Sequence, residues 1–126
     1  MTVQTGLQAA MTFEVTPADT ASAVGSGSLQ VLATPRLLAW AEQATCAAID
    51  PHLEPGTTSV GSHVDFHHLA PSPVGERVTV TASVQHVDRR RIRFDVTAQH
   101  GDGRVVATAT ITRVVVDIER FLERVS

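Results

Sequence analysis

The chain has 126 residues, 43% of them hydrophobic, enough for one compact domain spanning 1-126 with its own core and too short for two. A formal net charge of -3, only one tryptophan and four phenylalanines, and no basic run except Arg89-Arg90-Arg91 argue against a nucleic-acid surface. The lone Cys46 cannot close an intramolecular disulfide, no Cys/His spacing suggests a metal, and no signal peptide or membrane span is visible, so a soluble cytoplasmic protein is the expectation.

In chain order, Met11 to Thr16 alternates apolar with polar and predicts a short strand. Pro17 to Ser28, rich in Gly, Ser, Ala and Asp, predicts a loop. Thr34-Pro35 is a helix-start signal, with threonine as the cap and proline in the first turn, and a helix is expected from Pro35 to Ile49. Pro51 and Pro55-Gly56 end it. Four runs rich in Val, Ile and Thr follow as strands: Thr58 to His68, Glu76 to Val87, Arg91 to His100 and Arg104 to Asp117. Their turns fall at Pro71 to Gly75, Asp88 to Arg90 and Gly101 to Gly103, and a final helical turn is expected over Ile118 to Val125.

One strand, one helix of about four turns and four long strands form an α+β pattern, an antiparallel sheet of about five strands wrapped around one central helix, which is the hot-dog architecture. Such a sheet leaves a long edge, and pairing it with a second copy gives a homodimer or a dimer of dimers. The three turn arginines admit two readings, a solvated turn or an attraction for the phosphates of a charged cofactor such as coenzyme A.

Two ionisable residues fall on apolar faces. At about 100° per residue, Pro35, Leu38, Thr45, Cys46 and Ile49 lie within about 60° of Glu42, while Arg36, Gln43 and Asp50 collect opposite. On the following strand, alternation puts Val60, Val64, Phe66 and His68 on one face, and His63, Asp65 and His67 on the other. Packing the two apolar faces together brings Glu42 and His68 into one interior as an acid/base pair, or as groups held there for packing alone. No GxSxG nucleophile motif is present, and Cys46 reads as a small buried hydrophobe.

The ordered set Gly25-Ser26-Gly27-Ser28-Leu29, Val31-Leu32-Ala33-Thr34-Pro35, Glu42, Thr58-Ser59-Val60-Gly61, His68-Leu69-Ala70-Pro71, Gly75 and Arg113 to Asp117 with Arg120-Phe121 resembles the fluoroacetyl-CoA thioesterase-like family of hot-dog proteins. The similarity runs from about Phe13 through nearly all of the chain. It implies hydrolysis of a small acyl-CoA thioester by a Thr34, Glu42 and His68 triad, with Gly61 lining the thioester pocket, Arg113 nearby, and no cofactor beyond the coenzyme A of the substrate. The sequence departs from the family before Thr34, where small residues, Val24 to Ser28, stand in place of an aromatic-containing lid, so a general short or medium acyl-CoA is expected rather than a fluorinated one. A hot-dog module that binds acyl-CoA or a related small molecule without turnover, and a hot-dog enoyl-CoA hydratase or dehydratase, are the alternatives.

Overall fold

A computed structural model describes all 126 residues. Five antiparallel strands, β1 (Gln8–Glu14), β2 (Thr57–His68), β3 (Arg77–Asp88), β4 (Arg91–His100) and β5 (Val105–Asp117), form one sheet in the order β1-β3-β4-β5-β2. The first strand begins three residues earlier than the alternation predicted and stops at Glu14, where Val15 turns to exchange backbone bonds with Glu76 and Gly75. The inward set extends backwards through Phe13 and Met11 to Ala9.

The expected loop after β1 contains local structure. Pro17–Asp19 makes a 3-10 turn, and α1 (Ala21–Val24) starts where the Thr20 hydroxyl accepts from the Ala23 amide. Gly25 ends α1 at φ 86, a left-handed conformation that suits glycine.

The central helix, α2 (Thr34–Ile49), packs mainly on β1 and β3, and Phe13 stacks on Trp40 at 4.6 Å between ring centroids. Its buried face carries Leu37, Trp40, Ala41, Ala44, Thr45, Ala48 and Ile49. This differs from the stripe centred on Glu42. Three of the buried residues are alanines, which barely register as hydrophobic signals yet let a helix lie close against a sheet. Glu42 therefore sits on the flank of the buried face, beside Ala41.

A second correction concerns β2. Its pairing with β5 slips between Gly61 and His63, leaving Ser62 as an extra residue. Val60 pairs with Val114 on the outer face, so it does not share a face with Val64, Phe66 and His68, which point inward opposite Ile111, Ala109 and Ala107. On the other side of the slip, Ser59 and Gly61 point inward with Val115 and Arg113. His63, Asp65 and His67 face outward as expected, and His67 lies 3.0 Å from Asp65 at the surface. Both β1 and β2 are sheet edges, a 23-residue cluster forms the core, and α3 (Ile118–Leu122) follows β5. No helix is long and apolar enough to cross a membrane.

Candidate active site

Thr34 is the first residue of α2, and Ala33 occupies the cap position. The expected capping role is not what the threonine does. Its hydroxyl lies 2.7 Å from Nδ1 of His68, at the end of β2. The approach to the helix is fixed by backbone bonds from Leu32 N–H to the Ser72 carbonyl, 2.8 Å, and from Ala33 N–H to the Asp19 carbonyl, 2.9 Å. Proline in the first turn costs no intrahelical bond, so the chain can turn sharply into α2 and leave the Thr34 side chain facing the strand.

His68 is half-buried, with its ring edge-on to Phe66. Burial pushes its pKa below the usual 6.5, and the Ala70 backbone works in the opposite direction. The ring is thus neutral near neutrality. With Nδ1 engaged by Thr34, the buried Nε2 has no hydrogen-bond partner. Two tautomers are compatible: Thr34 donates to Nδ1 and the proton sits on Nε2, or Nδ1 donates to Thr34 and Nε2 presents a lone pair.

Glu42, two turns along α2, meets a different partner. Its Oε2 lies 3.3 Å from Nη1 of Arg113 on the inner face of β5. The Arg113 side chain is only 8% exposed against 38% for Glu42. Ser59 supports the guanidinium twice: Nε donates to its hydroxyl at 2.7 Å and Nη2 to its carbonyl at 3.0 Å. A buried guanidinium needs such partners, and Ser59 leaves its Nη1 for the carboxylate. Gly61 is adjacent, and a Cβ there would lie 2.5 Å from Oε2 of Glu42. The missing side chain is what lets the carboxylate occupy its place.

The residues singled out in the sequence therefore assemble as two hydrogen-bonded units, Thr34 with His68 and Glu42 with Arg113, flanked by Gly61; no hydrogen bond joins Glu42 to His68. Sequence reasoning missed Ser59. Its inward parity with Gly61 was the available signal, and it was obscured because the slip at Ser62 reverses the apparent facing of everything before it. Arg89 and Arg90 form the β3–β4 turn and Arg91 begins β4, with Arg89 at φ 57 and no ion pair to any of the three residues. Cys46 is half-buried, and burial pushes its thiol pKa up, which suits an inert side chain. No group of three or more His, Cys, Asp or Glu residues is arranged to hold a metal ion. A cavity of about 330 Å³ opens directly beside Thr34 and His68.

The model of the fluoroacetyl-CoA-specific thioesterase family matches residues 15–119. The fluoroacetyl-CoA thioesterase of Streptantibioticus cattleyicolor is 35% identical over 96 residues, 76% of this chain and 68% of that protein. A solved structure of a fluoroacetyl-CoA thioesterase superposes with a TM-score of 0.90 at 30% identity, covering 98% of this chain and 95% of that one. A thioesterase superfamily member from Thermus thermophilus gives a TM-score of 0.88 at 28% identity, with 97% and 92% covered.

Proposed function

This chain belongs to the fluoroacetyl-CoA-specific thioesterase family, a family of thioester hydrolases, and from that premise we propose that it hydrolyses a small acyl-CoA to the free acid and CoA at Thr34, Glu42 and His68. The observation that carries the site assignment is the environment of Glu42, a partly exposed carboxylate oriented by a buried arginine and kept clear by a glycine.

Glu42 works by one of two routes. In the first, its carboxylate attacks the thioester carbonyl, the tetrahedral adduct collapses with cleavage of the C–S bond to release CoA thiolate, and water then opens the acyl-glutamyl anhydride that remains. In the second, Glu42 takes a proton from a water whose oxygen attacks the carbonyl directly. In the first route neutral His68 takes the proton of the water that opens the anhydride, after the thiolate has left; in the second it passes the proton that Glu42 has taken on to the departing thiolate. In either, Thr34 fixes the imidazole and donates to the carboxylate or acyl oxygen. Arg113 orients Glu42 and offsets its charge, so that the carboxylate is presented in one direction rather than several.

An acyl-CoA substrate is supported by one relative, a variant of the fluoroacetyl-CoA-specific thioesterase solved with fluoroacetate and CoA; it superposes with a TM-score of 0.87 at 30% identity, with 94% of this chain and 99% of that one covered. The free outer edge of β2, twelve residues long, supports a homodimer formed by pairing edges, and light scattering at micromolar concentration tests it, a stable monomer being the refuting result. The function is tested by incubation with acyl-CoAs and a thiol reagent. Release of free CoA is expected from the native chain and is lost in Glu42→Gln, which keeps the shape but can neither attack nor accept a proton. Acyl-CoA binding without CoA release by the native chain would leave a binding module. Loss of enoyl absorbance without thiol release would select a hydratase. Single turnover in heavy-oxygen water separates the two routes, since label enters Glu42 only through the anhydride.

A further inference from the structure

The cavity beside Thr34 and His68 lies between the segment that carries α1 and the turn after β2, and the side chains around it are Ala21, Ser26, Val31, Leu69, Ala70 and Pro71, with Leu32 behind. None is charged. Leu69 is 60% exposed, and Leu29, in the same covering segment, is 68% exposed. A large aliphatic side chain held in water at the rim of a cavity, as Leu69 is, marks a surface that expects an apolar occupant.

The cavity is held open by backbone. Ala21 N–H donates to the Val31 carbonyl at 2.8 Å, and Leu69 N–H and Ala70 N–H both donate to the Val106 carbonyl, at 2.8 and 3.3 Å. Buried Ser72, 2.7 Å from Nε2 of His100 through its hydroxyl, ties the turn after β2 to the end of β4. The covering loop is thin because its residues are small. A Cβ at Gly27 would already touch that of Ala21 at 3.3 Å, so the loop folds flat on α1, and no aromatic residue lies between Pro17 and Ala33 to reach down and fill the space.

On the thioesterase reading, we propose that this cavity is the acyl pocket and that the chain prefers an uncharged aliphatic acyl group of intermediate length, with Ser26 and Leu69 setting the limit. A methylene is similar in size to a water, which takes about 30 Å³, so 330 Å³ would hold about eleven such groups if it were closed; because the cavity is widely open to solvent only part of it can be filled, and roughly four to eight acyl carbons suit it. A two-carbon acyl group leaves most of the pocket unused. Each methylene buried against this wall raises specificity by about fourfold until the pocket is full. Malonyl and succinyl groups bring a carboxylate to a wall with no countercharge and are disfavoured.

The test is kcat/KM for the full chain on acetyl-, butyryl-, hexanoyl-, octanoyl- and succinyl-CoA, repeated for Ser26→Phe and Leu69→Ser. The expected profile rises by about fourfold per methylene from acetyl towards hexanoyl, with succinyl well below butyryl. Ser26→Phe, at an exposed loop position, fills the mouth and is expected to lower the hexanoyl-to-acetyl ratio tenfold or more. Leu69→Ser keeps the backbone bond to Val106 and lowers the same ratio severalfold. Acetyl hydrolysis with a flat or falling profile, which is what a cavity serving the pantetheine arm gives, overturns the acyl-pocket assignment and leaves the thioesterase standing. An unchanged ratio in both variants overturns it equally, and no hydrolysis of any substrate overturns both.

Discussion

Gly61→Ala isolates the part of the site that depends on absence. The added Cβ falls 2.5 Å from Oε2 of Glu42 and 3.7 Å from Nη1 of Arg113, so the carboxylate must retreat by close to 1 Å to reach an ordinary contact. Gly61 is not at positive φ, and the obstructing atom is the end of a flexible, partly exposed side chain, so the cost to the fold is small, within about 1 kcal/mol. The cost to catalysis is not small, because about 1 Å of misplacement of a reacting group can lower turnover on the order of 10²-fold. The assay is kcat/KM on one good acyl-CoA, with thermal unfolding as a control, for Gly61→Ala, Glu42→Gln and the double variant. Since alanine acts through Glu42, the double variant is expected to be no slower than Glu42→Gln alone. Near-native turnover of a folded Gly61→Ala would refute the placement of the reacting carboxylate, and additive losses would mean that the glycine acts by another path.

His68→Ala is expected to lose on the order of 10²-fold or more in kcat/KM, whereas His67→Ala, which removes an exposed pair with Asp65, stays near the parent; a ratio close to unity refutes the assignment. For pH, burial lowers the pKa of His68 below 6.5, so the acid limb of kcat/KM is expected below that value, and a limb above it would show a different base. The sign for stability agrees: the unfolded chain binds the proton at higher pH than the folded one, so this contribution is complete above about 6.5 and is lost as pH falls through the window below it. Arg89→Gly relieves a left-handed residue with no ion pair; after allowance for the greater unfolded-state entropy of glycine, the expected gain is about 0.5–1 kcal/mol, read as a higher melting temperature. A lower one would mean that Arg89 makes contacts worth more than its strain.

Much of the fold was legible because long strands with clean alternation and a capless but proline-marked helix give strong local signals. The strand ends of β2 to β5 fall within a residue of expectation. What failed did so where the local signal is silent. Alanine carries little hydrophobic weight, so the sequence pattern centres the apolar face of α2 on Glu42, whereas the buried face runs through Ala41, Ala44 and Ala48. Thr34 begins the helix but does not cap it, since sequence shows that a hydroxyl begins a helix but not that an imidazole 34 residues on competes for it. The cluster of Gly, Ser, Ala and Asp after β1 hid a short helix, which Thr20 starts and Gly25 stops.

The slip in β2 joins these observations. A strand without it would keep one parity from Ser59 to His68, and an odd separation of nine residues would then put these two side chains on opposite faces. The extra residue at Ser62 brings Ser59, Gly61 and His68 to the same inner face, so that one strand presents the support for Arg113, the clearance for Glu42 and the imidazole held by Thr34. Counting by twos found His68 only because Val64 and Phe66, beyond the slip, share its face; Val60 was counted for the wrong reason. Straightening the strand with Ser62 kept in the ladder would therefore either turn Ser59 and Gly61 outward or carry Val64 to His68 to the outside, and one half of the site would be lost while each residue remains in the chain. Deleting Ser62 instead makes Gly61 and His63 consecutive and leaves both halves facing inward, so this deletion is expected to disturb the site far less than its place beside Gly61 suggests, as kcat/KM with thermal unfolding as control would show.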